Sequence, residues 1–130
     1  MSRVTNKLPT DLELKLLNIV WNKRKATVRE VKNALPRHKP LAYSTVLTVM
    51  RILERKGFVQ HDAVNRTYVY YPIVTRDEVI RSMLRNLANR LFDGSAELVM
   101  VNVLEKEDMG LGELKRLKQL IEEKQKEARK

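Results

Sequence analysis

Residues spaced about 100° apart around a helix sort the segment from Ser44 to Lys56 into two arcs. Val46, Val49, Met50 and Leu53 share one, and Ser44, Thr48, Arg51 and Arg55 share the other, with Thr45 at its edge. Short hydroxyl side chains near a helix start can approach base edges closely, and arginines further along can neutralise phosphates or bond guanine bidentately. Lys56 extends this cationic set, and Asn65 and Arg66 fall at a polar corner between two segments rich in β-branched and aromatic residues. Taken singly, Ser44, Thr45 and Thr48 read as ordinary solvated helix residues, and Arg51, Arg55 and Lys56 as a solvated charged face. Their combination on one face, opposite an apolar stripe, is what a helix that reads DNA requires.

Other chemistries find little support. The chain has no cysteine, which removes disulfides, thiolate zinc or copper sites and cysteine nucleophiles. His38 and His61 stand isolated, and there is neither a Gly-rich phosphate loop nor a nameable nucleophile and base. No enzyme activity, metal or cofactor is expected. Tyr68, Tyr70, Tyr71 and Trp21 read as packing residues, because alternate positions of a half-buried strand must cover the helices.

The elements that would position the basic face follow from local signals. Thr10 caps a first helix running to about Asn22, with Leu14, Leu17 and Val20/Trp21 as its apolar stripe. Thr27, with Glu30 three residues on, forms a capping box for a second helix through Leu35, which buries Val28, Val31 and Leu35 before Pro36 stops it. A third helix opens at Ser44 or nearby Ala42-Tyr43 and ends at Gly57. Phe58 to His61, a corner from Asp62 to Arg66, and Thr67 to Tyr71 before Pro72 read as a β-hairpin. Thr75 with Glu78 starts a long helix bearing Val79, Ile80, Met83, Leu84, Leu87 and Leu91, closed near Gly94. An apolar segment, Leu98 to Leu104, and a last helix with Leu111, Leu114, Leu117, Leu120 and Ile121 complete the chain. The expected class is mainly α with a small β-hairpin wing (α+β). A winged helix-turn-helix domain over residues 1–74 precedes a helical dimerisation domain over 75–130.

Charge supports the same division. The 130 residues carry 26 Lys+Arg against 16 Asp+Glu, a formal net charge of +10. Residues 1–74 hold 14 basic and 5 acidic side chains, and 75–130 hold 12 and 11. Solubility charge would spread evenly; this excess points the first part at a polyanion. The longest apolar runs, such as Leu98-Val99-Met100-Val101, are too short to span a bilayer, and Met1 to Lys7 lacks a secretory core. A cytoplasmic protein with no membrane insertion is expected.

The sequence resembles the penicillinase and methicillin-resistance repressors and the copper-responsive repressors related to them. The resemblance covers nearly the whole chain. It rests on Leu12-Glu13 through Val20-Trp21, on Ala42 to Val46 with Arg51 to Phe58, on Arg66 to Val74, and on Val103 to Asp108. It implies a homodimeric winged-helix repressor whose N-terminal domains bind the two halves of a palindromic double-stranded DNA operator while C-terminal helices pair. In β-lactam-responsive members a sensor-dependent protease cuts after an asparagine; Asn102 matches that position, followed by Val103 where the family has phenylalanine. Copper-responsive members carry C-terminal cysteine pairs, which this chain lacks. A basic residue often precedes the threonine matching Thr45, where this chain has Ser44.

Pairing of residues 75–130 is expected through Ile80, Met83, Leu84, Leu87, Leu91, Leu98, Leu114, Leu117 and Ile121, a set that also includes some intramolecular core. The alternative is a nonspecific DNA-binding or chromatin-associated winged-helix protein, which shares the charge but needs no hydroxyl-bearing recognition face. A protein-binding adaptor with incidental charge is a further rival.

Overall fold

Three threonines start three helices by the same exchange of hydrogen bonds. In the computed structural model, which describes residues 7–130, Thr10 Oγ1 accepts the Glu13 N–H at 3.2 Å and Glu13 Oε1 accepts the Thr10 N–H at 3.2 Å. The distances are 3.1 and 2.9 Å for Thr27 and Glu30, and 3.0 and 3.1 Å for Thr75 and Glu78. Each box satisfies backbone donors that the first helical turn leaves unpaired. The two Thr27 bonds, the backbone one foremost, also hold the Glu30 carboxyl below its ordinary pKa. The helices that follow are α1 (Asp11–Lys23), α2 (Val28–Ala34) and, after Thr75, α4 (Arg76–Leu91).

Between them, α3 (Tyr43–Lys56) begins after Ala42, which has no capping side chain, and ends at Gly57 with φ 89°, a left-handed conformation that glycine adopts without strain. The sequence up to Asn6 lies outside the described residues.

Strands β2 (Val59–Val64) and β3 (Thr67–Pro72) form the expected hairpin, with one revision. Asp62, Ala63 and Val64 belong to β2, paired with Val69, Tyr68 and Thr67, so the corner shrinks to Asn65 and Arg66. Both have positive φ, 49° and 66°, as a tight two-residue hairpin turn requires. A third strand, β1 (Ala26–Thr27), adds antiparallel to β3 and gives the sheet order β1-β3-β2. The fold is thus mostly helical with a small antiparallel sheet.

The first compact unit ends at Arg85. Its core joins Leu16, Leu17 and Val20 of α1, Val28 and Val31 of α2, and Val46, Val49, Met50 and Leu53 of α3 to Phe58, Val59 and Tyr70. Leu16, fully buried, takes the central place expected of Leu14, which packs at the margin. Trp21 caps the core edge and donates its indole N–H to the Val74 carbonyl at 2.9 Å. Val79 is buried and Met83 packs against the same core, so the start of α4 belongs to this unit. The boundary between the two compact units therefore falls inside α4.

The second unit, Asn86–Lys130, contains the end of α4, α5 (Ala96–Lys106) and α6 (Leu111–Ala128). The apolar segment from Leu98 to Leu104 is therefore helical. Ser95 Oγ caps α5 through the Leu98 N–H at 3.1 Å. No residue of α5 or α6 is buried.

Candidate nucleic-acid interface

Burial divides α3 as its sequence dictates. Val46, Val49, Met50 and Leu53 face the core, while Ser44, Thr45, Thr48, Arg51 and Arg55 are exposed. Thr48 Oγ1 donates to the Ser44 carbonyl at 2.9 Å. Its proton is spent within the helix, leaving its lone pairs and methyl group for an outside partner.

Lys56 departs from the expectation. It lies about 100° round the helix from Arg55, and its Nζ meets Glu13 Oε1 at 2.6 Å and the Leu8 carbonyl at 3.3 Å. Burial opposes ionisation of Glu13, but the Lys56 ammonium and the Thr10 bonds outweigh it and hold the carboxyl below its ordinary value. The pair ties α1 to α3, and it leaves Lys56 half-buried where Arg51 and Arg55 are exposed.

His61 is not isolated either. Its Nδ1 lies 2.6 Å from Glu54 Oε1, and its ring stacks on Tyr68 with centroids 4.1 Å apart. These contacts fasten β2 to the flank of α3. Tyr70 is buried beneath, and burial, assisted by the Glu54 carboxylate, pushes its hydroxyl above the ordinary value. Tyr71 donates its hydroxyl to Gln60 Oε1 at 3.1 Å. Tyr70 is the packing residue expected; Tyr68, stacked on His61, remains 46% exposed. Asn65 and Arg66 are exposed at that tip.

One basic residue escaped sequence reasoning. Arg29, near the start of α2, holds its guanidinium over the Tyr43 ring, 5.6 Å from the centroid. The two residues sit on different helices, and no periodicity within either helix signals the contact.

The residues expected to pair two chains are largely uncovered. Ile80, Leu84, Leu87, Leu91, Leu98, Leu114 and Ile121 are exposed, Leu91 to 70%, while Met83 and Leu117 are half-buried. Leu104, Leu114, Leu117 and Ile121 line an apolar groove of about 360 Å³ within the second unit. Asn102 sits inside α5, its amide donating to the Leu98 carbonyl at 2.8 Å and accepting from Lys106, with Val103 exposed beside it. Among the described residues no helix is long and apolar enough to cross a membrane.

A three-helix core, a helix presenting hydroxyls and arginines, and a hairpin fastened to its flank define a winged helix-turn-helix regulator. The chain belongs to the penicillinase repressor family, whose family model matches residues 9–123. It is 25% identical to the methicillin resistance regulatory protein MecI of Staphylococcus aureus strain N315 over 112 residues, 86% of this chain and 91% of that protein. It is 33% identical to the transcriptional regulator BlaI of Mycobacterium tuberculosis over 98 residues, 74% of this chain and 71% of that one. Among solved structures it is similar to the monomeric form of Bacillus licheniformis BlaI in complex with the blaP half-operator. That likeness has 23% identity and a TM-score of 0.48, and covers 60% of this chain and 93% of the other.

Proposed function

We propose that the protein is a homodimeric transcriptional repressor that occupies a palindromic DNA operator through two winged-helix modules. Ser44, Thr45 and Thr48 would meet base edges, Arg51 and Arg55 base edges or phosphates, and Asn65 and Arg66 the backbone at the wing tip. The observation that carries this reading is that the chain joins such a module to two helices, α5 and α6, whose apolar residues find no interior. α5 and α6 bury none of their residues, yet Leu98, Leu104, Leu114 and Ile121 are all exposed. An apolar surface of this kind calls for a partner, and a second copy supplies a self-complementary one.

Dimerisation makes contact with the second half-site effectively intramolecular, which raises operator affinity without any new contact per module. Repression then follows from occupying promoter DNA. Release requires an event that weakens pairing or alters the geometry between modules. Cleavage at Asn102-Val103 by a sensor-dependent protease is one such event. Because that bond lies within α5, local opening of the helix must precede attack.

Selection of bound sequences from a random duplex pool tests the proposal. An inverted repeat of two half-sites is the expected product; enrichment of no sequence would leave a nonspecific DNA-binding protein. Within the selected site, Thr48→Ala is expected to change base preference at one position per half-site, and Arg55→Ala to weaken all sequences alike. Unchanged base preference in Thr48→Ala would mean that the recognition face is drawn at the wrong angle.

A further inference from the structure

A groove of about 440 Å³ opens between the helices of the first unit and its wing. Arg29 and Tyr43 line it from α2 and α3, and Arg66, Thr67 and Tyr68 from the hairpin, with Leu47 among the lining residues. Both charged side chains on its wall are arginines, and no carboxylate lines it. The Tyr43 ring, 44% exposed, holds the Arg29 guanidinium by its face at 5.6 Å. That contact limits the rotamers of a long side chain while leaving its N–H donors free to turn outward. On the other side the Arg66 backbone is set by a turn position with φ 66° next to the paired Val64 and Thr67, and its exposed side chain lines the groove wall.

We propose that this groove seats a phosphodiester of the DNA backbone. Arg29 is the phosphate ligand on the helix side, Arg66 the one on the wing side, and Tyr43 the platform that positions Arg29. The assignment rests on the DNA-binding reading above and extends it to two residues outside the recognition face. Two arginine forks on opposed walls suit an anion with several acceptor oxygens. A neutral ligand would leave both charges unanswered, and an apolar one would gain little from a wall of this polarity. The groove is also adjacent to the start of α3, where Ser44 and Thr45 stand. A phosphate seated there would fix the register in which those hydroxyls meet base edges.

The test uses the full chain and a fluorescent duplex carrying the selected site, with binding followed by anisotropy across a salt series. Each phosphate no longer neutralised lowers the slope of log K against log salt by about 0.9. Arg29→Ala is therefore expected to reduce it by about 0.9 per protomer, and to weaken binding about tenfold per protomer at moderate salt, on selected and unrelated duplexes alike. Tyr43→Phe, which keeps the ring face, should bind like the parent. Tyr43→Ala should lose affinity with its thermal unfolding midpoint unchanged. Lys115→Ala, an exposed lysine of α6, removes one charge elsewhere and reports the long-range contribution to be subtracted.

If Arg29→Ala matches Lys115→Ala in slope and affinity while the parent binds tightly, the groove holds no phosphate and the proposal is overturned. If Arg29→Ala alters base preference instead, Arg29 reads bases and the phosphate assignment is equally overturned. Failure of the parent to bind any duplex would instead overturn the repressor reading on which the assignment depends.

Discussion

Replacing Lys56 by methionine keeps the length of the side chain but removes the cation that Glu13 faces. The Glu13 side chain is 9% exposed and that of Lys56 22%, with 2.6 Å between the charged atoms. Breaking one partner of a fully buried pair costs about 3–5 kcal/mol, because the survivor is left charged and unanswered. Glu13 keeps the Thr10 N–H at 3.2 Å and the pair reaches solvent at one side, so about 2–3 kcal/mol is expected here. The pH dependence has a definite sign. In the parent the Glu13 carboxyl sits below its ordinary value of 4.5, so its contribution is full above that value and is lost as pH falls through the lower folded value. In the variant burial acts unopposed by the ammonium and raises the same carboxyl. The stability deficit should therefore be greatest near neutrality and narrow as pH falls through and below 4.5, as Glu13 takes up its proton first in the variant and then in the parent. Urea unfolding at fixed protein concentration, followed through Trp21, the single tryptophan, measures this directly. Adding Glu13→Gln should restore part of the loss. A deficit under about 0.5 kcal/mol, together with a DNA salt slope reduced by about one charge, would refute the reasoning and return Lys56 to the DNA-facing surface.

Acidic residues at Leu114 and Leu117 together should dissociate the chain at micromolar concentration in sedimentation velocity, since burying an unpaired carboxylate costs several kcal/mol; a persisting dimer would mean the pairing surface lies elsewhere. Arg66→Gly should stabilise the fold by about 1 kcal/mol, by relieving a left-handed arginine in a turn that favours Asn-Gly, while weakening DNA binding; calorimetry and anisotropy would show the two effects moving in opposite directions. Trp21→Phe removes the donor to the Val74 carbonyl and should cost about 1–3 kcal/mol in urea unfolding with no change in salt slope.

Features set within a few residues were readable from the chain. The cap at Thr10 and the boxes at Thr27 and Thr75, each linking a cap to a glutamate three residues on, lie wholly within local composition. The two faces of α3 followed from angular spacing alone. What escaped depends on contacts between one element and another. β1 is two residues long and is a strand only because β3 lies beside it. The hairpin turn contracted because Asp62 to Val64 found partners in Val69 to Thr67. Lys56 resembled its neighbour Arg55 in every local respect, yet Glu13, 43 residues earlier, decides what it does. His61 with Glu54 and Arg29 with Tyr43 escaped for the same reason. The packing of Val79 and Met83 against the first unit was equally hidden, because only the folded core reveals it.

The absence of any buried residue in α5 and α6 has a consequence for control. If those helices acquire an interior by pairing, their ordering and the pairing are a single bimolecular event governed by mass action. Below the dissociation constant of the pair, the amount of competent species rises with the square of chain abundance. A modest fall in synthesis, or a modest rise in turnover, would then empty the operator more sharply than it would for a regulator that works as a single chain.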